Sequence, residues 1–264
     1  MATPIGNLED ICMRSIKTLQ NADIIICENL KHSLKLITKL GIKKKVYSLH
    51  DHNEEKIIKK IENKLIDTSF ALISDAGSPL ISDPGYKLVL FCLNKKFNVT
   101  VVPGPSSVIA SLQISGMAPN KFKFLGFAPK TKIGFGHFIN NIEFENQTII
   151  FFISGHRLIQ SLEIIDRLLP VRNLSVCKEL TKINERVFRG NAKQILKTIK
   201  ENKKNILGEF VILVEKHTED PNSKEVITPL IVKQINILLK KYSLTDTVNI
   251  VHKLTNISKK AVYK

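Results

Sequence analysis

Several features that would assign this chain quickly are missing from it. No stretch approaches the roughly 18 consecutive apolar residues of a membrane-spanning helix. Cysteine is scarce: Cys12, Cys27, Cys92 and Cys177 lie far apart, without a C-x-x-C. That excludes a zinc ribbon and a dithiol redox motif, and leaves four buried, reduced thiols as the expectation. Neither the phosphate loop G-x-x-x-x-G-K-S/T nor the dinucleotide fingerprint G-x-G-x-x-G occurs, and Gly134 with Gly136 is a lone G-x-G. There is no G-x-S-x-G, so serine hydrolysis has no support. The opening MATPIGNLEDICMR has neither the basic nor the apolar region of a signal peptide, and a cytoplasmic protein is expected. No internal repeat is found.

Arginine is scarce too: six of the 40 basic residues, against 24 acidic ones. The net charge of +16 points to a polyanionic partner, most often nucleic acid. The excess of Lys, Ile and Asn also follows from an AT-rich genome. The 264 residues suffice for one large domain or two ordinary ones, each with a real core.

Apolar runs alternate with helical patterns. ADIIIC (22–27), KVYSLH (45–50), SFALIS (69–74) and VTVVPG (99–104) predict strands. LKHSLKLITKLGI closed by Gly41, EEKIIKKIENKLID (54–67), GYKLVLFCLNKKF (85–97) and SSVIASLQISG (106–116) predict helices between and after them. This is an α/β domain with a largely parallel sheet. A second α/β unit follows the boundary at MAPNK (117–121), with strands at 122–127, 148–154, 173–180 and 208–215 and helices at 156–169 and 192–203. HTEDPNSKE (217–225) reads as a linker. A helix from about Val226 to Tyr242 and two capped turns beyond it read as a helical tail.

Two loops follow strands, where ligands sit in open α/β sheets. No Lys or Arg stands between Lys64 and Lys87, and that gap holds ISDAGSPLISDPGY (73–86). The second loop, PGPSS, opens a helix with Ser106 as its N-cap. Glycine permits close backbone approach and proline stiffens the loop. A phosphate cradle would recruit a basic residue, and neither loop has one. A neutral or cationic ligand fits better, and S-adenosylmethionine, with its positive sulfonium, is one candidate. Taken singly, either loop is also an ordinary tight turn.

The strings TPIGNLEDI (3–11), SLHDHNE (48–54), LISDAGSPLISDPGY (72–86), VVPGPSSVIASLQISG (101–116), FLGFAPK (124–130), KELTKINERVFRG (178–190) and GEFVILVE (208–215) run in order along the chain. Together they resemble the ribosomal RNA small subunit methyltransferase I family, within the tetrapyrrole-methylase-like methyltransferases. The resemblance implies an α/β, two-domain tetrapyrrole methylase-like fold: domains at 1–117 and 118–218, the cofactor in the cleft between them, and a small helical tail at 226–264. It implies S-adenosyl-L-methionine as cofactor and a homodimer. The implied reaction is 2′-O-methylation of a cytidine ribose in the decoding region of 16S rRNA, in the 30S subunit, with no metal and no membrane partner. By motif position, Ala76, Gly77, Ser78 and Ile81 line the cofactor on one side and Ser106 and Ser107 on another, and Phe152 and Leu180 complete the pocket.

Methyl transfer is an in-line displacement, helped by alignment and by a base for the hydroxyl proton. Where the family usually reads glutamate-aspartate-threonine-arginine, this chain reads Glu28, Asn29, Leu30, Lys31. Glu28 is the expected base or orienting group and Lys31 the phosphate or alkoxide partner. A strand-end carboxylate with a solvated lysine is the plain alternative. In FISGHR (152–157) the family's acid is Ile153 and its proline Gly155, while His156 and Arg157 remain. The family also begins with a strand feeding TPIGN, and here Met1 stands almost on the loop. A sheet without that strand would expose backbone edges, so either the start lies upstream or the sheet is rearranged. His50 and His52, two apart on an expected strand face, suit hydrogen bonding better than a metal.

Two other functions stay open. One is a methyltransferase of the same fold acting on a tetrapyrrole or other small molecule, which explains neither the charge nor the tail. The other is an RNA-binding or assembly protein without catalysis, kept open by Asn29, Leu30 and Ile153. The tail lysines Lys253, Lys259, Lys260 and Lys264 are candidates for RNA contact.

Overall fold

The computed structural model describes residues 1–201, 206–218, 229–255 and 257–263. The chain divides into two compact units, Met1–His217 and Thr218–Lys264.

The first unit opens with α1 (Met13–Asn21), β1 (Ile24–Cys27), α2 (Leu30–Lys39), β2 (Lys45–Ser48), α3 (Glu54–Ile61), β3 (Phe70–Ile73), α4 (Tyr86–Asn94) and α5 (Ser107–Ser115). The three strands form a parallel sheet in the order β2-β1-β3. Successive side chains on a strand point to opposite faces, and β1 shows it. Ile24 and Ile26 join the core formed with Ile57, Ile61 and Leu88, while Ile25 and Cys27 join the opposite one with Leu19 and Ile37. A strand covered on both faces reads as an unbroken apolar run, which is why IIIC has no polar residue.

VTVVPG, whose valines predict a strand, enters no ladder. Its Val102 carbonyl accepts from the Ala2 N–H at 3.1 Å. The Met1 ammonium donates instead to Leu72 O at 2.8 Å, and Thr3 turns to Gly77. Residues 1–3 thus divide their hydrogen bonds among three segments, where a strand needs consecutive pairs with one neighbour. β2 also ends early, at Ser48, so His50 and His52 lie in the following turn and not on a strand face.

The second sheet comprises β4 (Phe122–Phe127), β5 (Thr148–Ser154), β6 (Asn173–Lys178), β7 (Arg186–Asn191) and β8 (Glu209–Val214), in the order β4-β5-β8-β6-β7. β4 and β5 pair in parallel and the other neighbours antiparallel. Helices α6 (Lys132–Asn141), α7 (Leu158–Leu168) and α8 (Ala192–Lys200) share one core with Ile149, Phe151 and Ile153. The alternate residues Ile150, Val211 and Leu213 meet Val108 and Leu112 of α5 on the other face. β7 comes from ERVFRG, a segment not expected to be a strand: of its residues only Phe188 is buried, and an arginine stands at each end of RVFR. The helix expected over 192–203 is described as far as Lys200, and residues 202 and 203 lie outside the described residues.

In the second unit, α9 (Pro229–Leu238), α10 (Leu244–Thr255) and α11 (Lys259–Val262) close on Val248, Val251, Ile257 and Val262. Ser258 caps α11, its side chain accepting from Ala261 N. The expected linker from 219 to 225, the start of the tail helix and Lys264 lie outside the described residues. Among the described residues no helix is long and apolar enough to cross a membrane.

Candidate active site

The loop after β3 is held from within and from the N-terminus. Ser74 Oγ donates to Gly77 O at 2.9 Å, and Thr3 Oγ1 donates to Ser74 O at 3.1 Å. Gly77 takes φ +80°, a left-handed conformation, and an added Cβ would stand 3.3 Å from Ile5 Cγ2. Leu80 and Ser82 are left-handed without being glycine, at φ 73° and 69°, so the loop's shape is imposed on residues that resist it. Ser78 Oγ reaches Pro105 O at 3.5 Å and ties the two predicted loops together. Ser106 is the residue before α5, as expected of an N-cap, but its side chain makes no capping bond.

From the second sheet, the carboxyl end of β5 and the entry to β8 complete a cavity of about 470 Å3. Phe152 packs edge-on against Phe124 and Phe127, ring centroids 4.9 and 5.2 Å away. Glu179 and Thr181, both left-handed, flank Leu180. This turn is clamped: Lys182 Nζ bridges Glu179 Oε1 at 3.0 Å and Glu209 Oε2 at 2.8 Å, and Glu209 N donates to Glu179 Oε1 at 2.9 Å. Gly208, at φ +109°, leaves room for the Glu179 carboxylate, which a Cβ would meet at 2.6 Å.

Ala76, Gly77, Ser78, Ile81, Ser106, Ser107, Phe152 and Leu180, expected from motif position to share a pocket, all line this cavity. Glu28 and Lys31 are not in its lining. Lys31 is exposed on the first turn of α2, whose start is capped by Asn29 Oδ1 accepting from Lys31 N and His32 N. Glu28 sits just behind the wall: Asn29 N donates to Asp75 Oδ1 at 3.2 Å, and Asp75 is a lining residue. Burial, and then the charges of Asp75 and Asp51, raise the Glu28 carboxyl above its ordinary pKa.

The lining residues not expected include Asp75, Asp83, Phe127 and Glu209. Asp83 is the most perturbed of these: burial and the nearby Glu28 charge push its carboxyl up to about 6. Both aspartates stand in SDAGSPLISDPG, so the signal was present; what the string does not tell is which way they turn. Cys177 also lines the cavity, with its thiol pushed up to about 11 by burial, and is a poor nucleophile at neutral pH. Arg157, which remains in FISGHR, donates to Ala128 O at 3.2 Å and to Pro129 O, so it holds backbone.

Charge sorts the ligands. Among the described residues no Lys, Arg or His lines the cavity, whereas Asp75, Asp83 and Glu209 do. In a chain of net charge +16 this is a local reversal. It disfavours a phosphate-bearing guest and suits a cationic one. The remaining wall is hydroxyls, backbone and apolar side chains, the usual make-up of a small-ligand site.

A family model for Tetrapyrrole (Corrin/Porphyrin) Methylases matches residues 2–196. Solved structures agree in fold: cobalt precorrin-4 methyltransferase covers 81% of this chain and 92% of its own at a TM-score of 0.60 and 16% identity. Diphthine synthase covers 82% of this chain and 88% of its own at 0.61 and 14%. The chain belongs to the tetrapyrrole (corrin/porphyrin) methylase family. Among its relatives is the Ribosomal RNA small subunit methyltransferase I of Haemophilus influenzae, 36% identical over 100% of this chain and 94% of the relative. The protein of that name from Escherichia coli O157:H7 is 35% identical over 99% of this chain and 91% of its own length. That from Thermotoga maritima is 37% identical over 81% and 96%.

Proposed function

We propose that this chain methylates 16S rRNA of the small ribosomal subunit, with S-adenosylmethionine as donor and the 2′-oxygen of a cytidine ribose as acceptor. The observation that carries the donor assignment is the cavity of about 470 Å3 with three carboxylates and no basic side chain in its described lining. A sulfonium suits such a wall, and bound there the donor supplies an electrophilic methyl group. The names of the relatives and the net charge of +16 support an rRNA acceptor over a small molecule.

The chain's own residues have three tasks in this reading. The 74–85 loop and the start of α5 fix the donor's position, so that alignment contributes to the rate. Phe152, Leu180 and the apolar wall exclude water. Asp83, facing the cavity with a carboxyl near 6, takes the hydroxyl proton at its carboxylate oxygen, since a base tuned toward neutral pH is the effective kind. Glu28 acts through Asp83 by holding its affinity for a proton high, and Lys31, exposed outside the cavity, meets a substrate phosphate.

The test is transfer of a labelled methyl group to unmethylated 30S subunits, beside free 16S rRNA and a protein-free control, with the label then mapped. A single labelled cytidine ribose is expected. Cofactor binding without transfer to either substrate would assign the chain to another acceptor, and absence of cofactor binding would end the enzymatic reading.

A further inference from the structure

Tyr47 is the third residue of β2, the edge strand of the first sheet, and its side chain is buried. Three ammonium groups gather at its ring. Lys60 Nζ lies 4.9 Å from the ring centroid, Lys45 Nζ 5.4 Å and Lys64 Nζ 5.9 Å. Lys64 also donates to the phenol oxygen at 3.4 Å. The three come from different places: Lys45 begins β2, Lys60 lies in the last turn of α3, and Lys64 ends the short 3-10 turn at Glu62–Lys64.

Like charges this close repel, and the negative face of one ring offsets that only in part. Carboxylates would be the ordinary remedy, yet among the described residues none of the three lysines forms an ion pair. The nearby Glu62 is committed to Lys95 at 3.1 Å. A lysine on an edge strand is a common guard against strand pairing. That accounts for Lys45 alone and not for the convergence of Lys60 and Lys64. The Tyr47 hydroxyl registers the excess: its hydrogen bond with Lys45, then the one with Lys64, lowers its pKa. All three lysines are exposed, and Lys43 beside them is too.

We propose that Lys45, Lys60 and Lys64 around Tyr47 form a binding site for the phosphodiester backbone of the RNA substrate, separate from the cavity. The inference rests on the rRNA-methyltransferase reading and adds to it where the RNA is gripped. Lysine suits the task as a rotatable point charge that neutralises phosphate without reading sequence. Lys45 stands at the amino end of β2. Ser48, at its carboxyl end about 10 Å away along the strand, donates to Glu28 O at 2.7 Å. RNA held at the lysines therefore lies within a few nucleotides' reach of the carboxylates behind the cavity.

The test is the triple variant Lys45→Gln, Lys60→Gln, Lys64→Gln in the full chain, with Tyr47 kept. The expected result is an affinity for 16S rRNA lowered about tenfold at 0.1 M salt and a salt slope shallower by about one for each lysine lost. KM for the RNA rises in step, while kcat, the cofactor Kd and the Tm stay as in the parent. Unchanged RNA affinity and slope in the folded variant overturn the proposal, even where the parent methylates rRNA normally. If the parent binds RNA with the steep slope yet transfers no methyl group, the site stands and the catalytic reading falls. Inorganic phosphate at matched ionic strength is the second arm. Stabilisation of the parent alone by phosphate, with RNA affinity equal in both proteins, assigns the cluster to a free anion and overturns the RNA assignment.

Discussion

Thr3 and Gly77 exchange both of their backbone hydrogen bonds, Thr3 N to Gly77 O at 2.9 Å and Gly77 N to Thr3 O at 3.0 Å. The third residue of the chain therefore fixes the loop that forms one wall of the cavity. Gly77→Ala puts a Cβ on a left-handed residue beside Ile5. We expect a stability loss of about 1–2 kcal/mol together with weaker S-adenosylmethionine binding, read by thermal unfolding and calorimetry. Stability lost with cofactor affinity unchanged would separate the loop from the donor site.

The Asp83 carboxyl rises from its ordinary 3.8 to about 6 in the folded chain. As the proposed base it must be ionised, so kcat/KM rises with pH through about 6 to a plateau. Glu28→Gln removes a charge that raises it and moves the inflection to lower pH. Asp83→Asn costs about 10²- to 10⁴-fold in rate. An inflection unmoved by Glu28→Gln counts against the pairing.

The same carboxyl makes a stability prediction with a definite sign. The native state holds this proton more tightly than the unfolded chain, so the associated stability is full below 3.8 and lost as pH rises through about 6. Asp83→Asn then matches the parent near pH 4 and exceeds it at pH 7.5. The gain is about 1 kcal/mol, because solvent screens a half-buried group. Denaturant melts at the two pH values decide this.

Glu179 accepts from Glu209 N and pairs with Lys182. Removing it in Glu179→Ala frees the turn that presents Leu180. We expect about 1–3 kcal/mol of lost stability and several-fold weaker cofactor binding. Lys182→Met leaves the backbone bond intact and serves as the milder comparison, since Lys182 is partly and Glu209 largely exposed.

Arg189 of β7 donates to Ser115 O at 3.1 Å and to Ile114 O, at the carboxyl end of α5. A guanidinium there meets the last carbonyls and the negative end of the helix dipole. Arg189→Ala should cost about 1–2 kcal/mol without altering rRNA affinity by more than its single charge. Melting and filter binding would show which is affected.

The parts of the fold legible beforehand were those that local pattern dictates. IIIC and TIIFFIS are buried on both faces, FALI is buried on one and half-buried on the other, and Gly41 and Gly116 end helices in the left-handed conformation expected of them. VTVVPG and ERVFRG went the other way for one shared reason: whether a segment becomes a strand depends on what lies beside it, and neighbours are not written locally. The eight lining residues were legible through motif order, which carries three-dimensional information that composition does not. Asp83 was in plain view as a letter, but its depth and the closeness of Glu28 arise only when β1 and β3 are laid side by side.

The reversed charge of the cavity bears on turnover as well as on capture. Methyl transfer converts a sulfonium to an uncharged thioether. A wall carrying Asp75, Asp83 and Glu209, of which only Glu209 has an ammonium partner, Lys182, among the described residues, loses part of its hold on the guest once that charge is gone. In the proposed reaction the fresh donor is held more tightly than its own spent form in the same space, so electrostatics relieves product inhibition.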